Sequence, residues 1–223
     1  MTAVEWQASL FGVDVPQPDG EFAGTERVEL DGGAWIDHRP GWLAGSDTLF
    51  AELVAHAPWR QRTRPMFDQV VDEPRLTAWF GADTPDRALP AVVAEMRDLL
   101  SSRYRVRFDS VGCNLYRDGR DSVAWHGDTV RRSLAEPLVA IVSLGEPRPL
   151  LLRPRGGGRS NRFELGGGDL FVMGGTCQHT WEHCVPKVRQ AGPRLSVTYR
   201  HSRASARTGS RAPRSRGGRG PRR

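Results

Sequence analysis

The chain has 223 residues, 38% of them hydrophobic and 26% charged, with a formal net charge of +6. That length supports one sizeable core, and no apolar run approaches the roughly 20 residues that span a bilayer. Cys113, Cys177 and Cys184 form no Cys-x-x-Cys pair, and residues 1–20 show no basic stretch followed by an apolar one. Reduced thiols, a cytoplasmic location and no membrane partner are therefore expected.

Residues 1–25 are expected to be loosely structured, because Pro16, Pro18 and Gly20 interrupt any periodicity. A helix is predicted from Ser46 as N-cap; Leu49, Phe50, Leu53 and Val54 share one face, and Pro58 ends it. A second is predicted from Leu89-Pro90, where proline suits the first turn. Its Val92, Val93, Met96, Leu99 and Leu100 recur at helical spacing. From Tyr104 onward the period becomes two, with Val106, Phe108 and Leu115 between polar neighbours. The stretch 137–144 is almost continuously apolar, as in a strand buried on both faces. Short strands follow at 162–165, 169–173 and 194–200, separated by glycine-rich turns at 156–158, 166–168 and 174–175. The glycine triplets neither open a helix nor precede Lys-Ser/Thr, so they are turns rather than phosphate loops. This pattern predicts a mainly β fold with flanking helices (α+β), a double-sheet jelly roll over residues 26–201 with its core at about 104–201.

Residues 201–223 hold eight arginines and no acid. Without that segment the chain is slightly acidic, so the basic character belongs to the end of the chain. A segment of Arg, Gly, Ser and Pro at 202–223 is expected to be disordered. It suits DNA or RNA through counterion release, or serves solubility alone.

His126-Gly127-Asp128 carries the first chemical signal, although six histidines make a chance His-x-Asp common. It follows a strand, and His183 lies 55 residues beyond Asp128 at another. Two imidazoles and one carboxylate leave coordination positions open, which suits Fe(II) taking a co-substrate and O2 together; a closed four-ligand zinc site would not. His179 competes with His183 within His179-Thr-Trp-Glu-His183. A zinc-protease helix needs Glu directly after its first His, whereas Glu182 directly precedes the second, and Gly174, Gly175 and Pro186 disfavour a long helix. In the strand 194–200, Arg194, Ser196, Thr198 and Arg200 share one face. Two buried guanidiniums there call for an anionic ligand, and a dicarboxylate can bridge metal and arginine. Asn114 and Tyr116, on one face of an earlier strand, can both donate hydrogen bonds to a carboxylate.

Taken together, the stretch from Asn114 through Tyr116 to His126-Gly-Asp128, the segment Trp181-Glu-His183-Cys-Val-Pro-Lys187, and Arg194-x-Ser-x-Thr-x-Arg200 resemble an AlkB-type 2-oxoglutarate/Fe(II) dioxygenase. Pro74-Arg-Leu-Thr-Ala-Trp-Phe-Gly81 is similar to that family's nucleotide-recognition lid, here at about 60–90. The likeness covers roughly residues 60–201. It implies a double-stranded β-helix with iron on His126, Asp128 and His183. It places 2-oxoglutarate on Asn114, Tyr116, Arg194, Ser196, Thr198 and Arg200, with Arg194 on the far carboxylate. It places a flipped base near Arg75, Trp79, Phe80, Trp125 and Thr129. The implied activity is oxidative removal of N-alkyl groups, of the 1-methyladenine and 3-methylcytosine type, from DNA and possibly RNA. Such a reaction consumes O2 and releases formaldehyde, succinate and CO2; the enzyme is expected to be a monomer. Thr129 and Val130 stand where many DNA-repair members carry an acid, and Ser196 where Asn is frequent. Two alternatives remain at this level: the same chemistry on a protein or small molecule, and a non-enzymatic jelly roll that binds nucleic acid.

Overall fold

The computed structural model describes residues 15–66, 68–80, 89–128 and 134–201. In chain order the first elements are β1 (Gln17–Pro18), β2 (Glu26–Glu29), β3 (Ala34–Arg39), β4 (Leu43–Ala44), α1 (Ser46–His56), β5 (Arg60–Met66) and β6 (Gln69–Phe80). There follow α2 (Ala91–Tyr104), β7 (Ser110–Tyr116), β8 (Val123–His126), β9 (Val139–Gly145), β10 (Arg148–Pro154) and β11 (Asn161–Leu165). The last are β12 (Leu170–Gly175), the single turn α3 (Cys177–Thr180), β13 (Trp181–Val185) and β14 (Arg194–Arg200).

An eight-stranded sheet runs β2-β3-β12-β9-β14-β7-β6-β5, and a four-stranded sheet runs β11-β10-β13-β8. This is the expected double-sheet jelly roll with helices outside it. The apolar run in β9 shows how the layers form. Ala140, Val142 and Leu144 enter a core shared with α1 and α2, among Leu49, Phe50, Val93 and Met96. Val139 and Ile141 enter a second core that also takes Leu150, Leu152 and Val185 from the smaller sheet. Alternation sends successive side chains to opposite faces, so a central strand covered on both sides is apolar throughout.

Several elements differ from expectation. Residues 15–25 are built onto the core: β1 pairs with β4, and buried Phe22 lies 5.5 Å from Trp42. Gly45, not Ser46, caps α1, in a left-handed conformation (φ 64°) that glycine adopts without steric cost. Pro90 stands just outside α2, which extends to Tyr104, so regular strand pairing begins only at Ser110. Gly174 and Gly175 belong to β12 rather than to a turn. The strands β2, β3, β5 and β10 had no clear apolar alternation to reveal them. All three cysteines are buried and free. Among the described residues no helix is long and apolar enough to cross a membrane. The expectations for 1–14, 202–223 and Thr129-Val130 lie outside the described residues.

Gly174 lies beneath the Trp35 ring, where an added Cβ would stand 2.1 Å from a ring carbon. Gly174→Ala is expected to cost about 1–3 kcal/mol through overpacking. Thermal unfolding should show it as a fall in Tm of roughly 2–4 °C per kcal/mol.

Candidate active site

β14 lies between β7 and β9 and gives the two faces of the large sheet different chemistry. Leu195, Val197 and Tyr199 pack toward the helices. Arg194, Ser196, Thr198 and Arg200 face the smaller sheet and line a cavity of about 90 Å³, together with Asn114, Tyr116 and the two histidines described below. Cross-strand register sets Arg194 beside Tyr116 and Ser196 beside Asn114. Arg194 is 1% exposed. Its Nε donates to Ser143 Oγ at 3.0 Å, and its guanidinium carbon is 5.4 Å from the centre of the Tyr116 ring. Among the described residues no carboxylate forms an ion pair with it, and burial pushes its pKa down. Asn114 Nδ2 donates to Ser196 Oγ at 3.3 Å. Its Oδ1 accepts from Arg75 Nε at 3.2 Å, and Arg75 is steadied by Glu73 at 2.9 Å.

At the other end of the cavity, His126 and His183 are register partners on β8 and β13. Their ring centres are 4.3 Å apart. Three residue steps on β8, from Val123 to His126, oppose two on β13, from Val185 to His183. This bulge re-aims side chains, and both Val123 and His126 line the cavity. His183 Nε2 is 3.8 Å from Asp128 Oδ2. Burial drives the His183 pKa down to about 4, so the ring is neutral and has a free lone pair at pH 7. For Asp128, burial acts upward, but Arg200 and the two imidazoles outweigh it and hold the carboxyl below its ordinary range. Arg200 grips Asp128 Oδ1 with Nε and Nη2, both at 2.7 Å, which leaves Oδ2 toward His183. His126 Nδ1 lies 2.8 Å from the Ala124 carbonyl oxygen; a carbonyl only accepts, so Nδ1 carries a proton and Nε2 is the nitrogen outside that contact.

The donor types fit a 2-His-1-carboxylate iron site with open positions. Among the described residues no group of three or more His, Cys, Asp or Glu side chains is already drawn together as a metal centre. The trio nevertheless presents two imidazoles, that of His183 neutral, and an ionised carboxylate to one cavity wall. Two residues outside the motifs support it. Gln178, 2% exposed, accepts from the Asp128 backbone N–H at 3.2 Å. Arg155 donates to the Gln178 carbonyl at 3.1 Å and lies so close to Gly127 that an added Cβ would fall 2.1 Å from its Nη2. Nothing in their sequence neighbourhood marks Gln178, Arg155 or Ser143.

A wider mouth of about 310 Å³ lies beside the cavity, bounded by Arg62, Arg75, Thr77, Trp79, Gly112 and Arg200. Trp79 is 49% exposed there, with the Arg200 guanidinium carbon 5.4 Å from its ring centre. Gly112 makes this meeting possible, since a Cβ would stand 2.9 Å from Arg200 Nη1 and 3.1 Å from the Trp79 ring. Two residues expected at the base stand elsewhere. Phe80 alternates away from Trp79 into the helix-side core. Trp125 turns off the cavity and packs under Arg153, 3.9 Å from guanidinium carbon to ring centre. Thr129 is outside the described residues. His179 contacts the Leu134 carbonyl at 2.8 Å and is not among the residues lining the cavity.

A family description, the 2OG-Fe(II) oxygenase superfamily, matches residues 44–205. The chain is 31% identical to "Alpha-ketoglutarate-dependent dioxygenase alkB homolog 3" of Bos taurus, over 72% of this chain and 64% of that one. It is 30% identical to the Homo sapiens protein of the same description, over 70% and 61%. It is 27% identical to "DNA oxidative demethylase ALKBH2" of Arabidopsis thaliana, over 69% and 61%. The chain therefore spans a little under two thirds of the length of these relatives. A solved structure described as "The structure of OsALKBH1" superposes with a TM-score of 0.52 at 14% identity, covering 79% of this chain and 100% of that one. That is a likeness of fold.

The Arg200–Asp128 pair can be tested directly. Arg200→Leu leaves a buried carboxylate without its cation and is expected to cost about 3–5 kcal/mol at pH 7. Because the folded-state pKa of Asp128 is depressed, this stabilisation is complete above the unfolded carboxylate value of about 3.9. It is lost as pH falls through the folded value. Urea unfolding at pH 7 and in acid should show the gap between wild type and variant closing in acid.

Proposed function

Because the chain belongs to the 2OG-Fe(II) oxygenase superfamily, in its AlkB-type group, we propose that it removes N-alkyl lesions of the 1-methyladenine and 3-methylcytosine type from DNA, and possibly RNA. The observation that carries this reading is Arg194, a buried cation with no carboxylate partner among the described residues, sharing one cavity with His126, Asp128 and His183. The relatives described as DNA oxidative demethylases support the choice of nucleic acid. Membership of an oxygenase superfamily sets aside the non-enzymatic alternative.

His126, Asp128 and His183 would hold Fe(II). Held there, iron would supply, with O2, the oxidation that takes 2-oxoglutarate to succinate and CO2 and an N-methyl group to formaldehyde. Arg200 keeps Asp128 ionised and its Oδ1 occupied. Gln178 and Arg155 fix the backbone that presents Asp128, the kind of outer support that tunes a ligand set. Arg194 would meet the far carboxylate of 2-oxoglutarate, steered by Ser143 and Tyr116. Asn114, Tyr116, Ser196, Thr198 and Arg200 supply the remaining polar wall. Trp79 offers a face to a base, with Arg75 beside it. The base must be out of its stack to enter, which favours bases whose pairing edge is already blocked.

Protein supplied with Fe(II) and 2-oxoglutarate should release equal amounts of formaldehyde and succinate from oligonucleotides carrying 1-methyladenine or 3-methylcytosine. His183→Ala should abolish both products. Arg194→Met should raise the 2-oxoglutarate requirement about 30-fold or more, since truncating one partner of a buried charge pair costs about 2–5 kcal/mol. Iron-loaded protein that decarboxylates 2-oxoglutarate but demethylates no oligonucleotide would move the substrate to a protein or small molecule.

A further inference from the structure

The inner face of the large sheet does not stop at the cavity. It continues from β14 across β7 and β6 to β5, the last strand. Thr77 lies opposite Asn114 on one side and opposite Arg60 on the other, so the three share this face. Trp79, two residues beyond Thr77, shares it too. The register shift between Gln61 and Thr63 sets two steps of β5 against four of β6, so the faces stay in step across it; Arg60, Arg62 and Arg64 therefore fall on that face, and Arg62 borders the mouth of the site. All three are exposed. Gln61, Thr63 and Pro65 take the opposite face.

The acids of the neighbouring strand are engaged elsewhere. Glu73 pairs with Arg75. Asp72 stands opposite Thr63, on the far face, where it acts on Arg117. Charges on an edge strand also discourage edge-to-edge pairing, but that purpose does not require all of them on one face. Here three arginines, their Cα atoms about 6.6 Å apart at two-residue steps, lead from the site mouth toward the far end of β5. An exposed tryptophan lies at the site end of the row.

We propose that Arg60, Arg62 and Arg64 form a phosphate-binding rail for a single polynucleotide strand, which feeds its unpaired base to Trp79. This rests on the nucleic-acid reading above. An arginine row tracking a backbone, beside an aromatic platform, is the arrangement that holds unpaired nucleic acid. A narrow file of charges on one strand matches one phosphate backbone.

The test uses the full chain, so that the arginines of 201–223 contribute equally to every variant. Affinity for an unmodified single-stranded oligonucleotide is measured by fluorescence anisotropy at several salt concentrations. The triple variant R60Q/R62Q/R64Q should bind more weakly, and its slope of log K against log salt should shrink by about 2, or about 0.7 for each phosphate no longer neutralised on a single strand. R60K/R62K/R64K should keep most of the wild-type slope, which separates lost charge from a disturbed fold. An unchanged slope in the Gln variant overturns the rail. A loss as large or larger on the fully paired duplex overturns the assignment to a single strand. Demethylation is scored separately. Wild-type demethylation with an unchanged slope removes the rail alone. A lost slope without demethylation removes the repair reading and leaves the rail standing.

Discussion

Buried between two sheets, Arg194 of β14 carries a charge that no carboxylate among the described residues pairs with. Arg148 and Arg194 are both 1% exposed and both flank Tyr116, yet their surroundings differ. Arg148 donates to the carbonyl oxygens of Asp118, Asp121 and Pro186, and so ties two loops to the start of β10. Arg194 has the Ser143 hydroxyl and an open cavity ahead of it. Burying a cation without compensation is costly. One guanidinium is therefore a structural clamp, and the other carries a charge that a dianionic co-substrate would balance.

At the opposite end, the site depends on keeping the Asp128 carboxylate charged while keeping the His183 imidazole neutral. Burial alone would raise Asp128 and lower His183. The second effect leaves a lone pair for a metal; the first would remove the carboxylate. Arg200 resolves the conflict by touching Asp128 but not replacing it as a ligand donor, because it occupies one oxygen and leaves the other. Gly112 then allows the same guanidinium to reach the Trp79 ring.

The residues proposed to hold iron and 2-oxoglutarate, His126, Asp128, His183 and Arg194, stood out in the sequence, because a metal and a dicarboxylate would demand particular side chains, and the structure brings all four to one cavity. Their supports were not readable. Gln178 acts on a backbone N–H fifty residues away, a relation that exists only once α3 is folded beside β8. Trp125 was misplaced because its neighbour His126 faces the cavity, and adjacent strand residues point to opposite faces. Phe80 was misplaced because the β6–β7 register, not its proximity to Trp79, decides which face it takes. Among the strands, β9 announced itself by apolar continuity. By contrast, β10 carries Arg148, Pro149 and Pro154, and proline ordinarily argues against a strand.

The two-faced character of β14 has a consequence for how such a protein can change over generations. Seven consecutive residues hold two independent texts, interleaved letter by letter. Leu195, Val197 and Tyr199 are read only by the helix-side core, where apolar exchanges of similar volume are usually tolerated. Arg194, Ser196, Thr198 and Arg200 are read by the cavity. Drift in the first text can raise or lower thermal robustness without rewriting the second. A shift in chemistry can begin at a single even-numbered position, such as Ser196, while the strand itself stays in place.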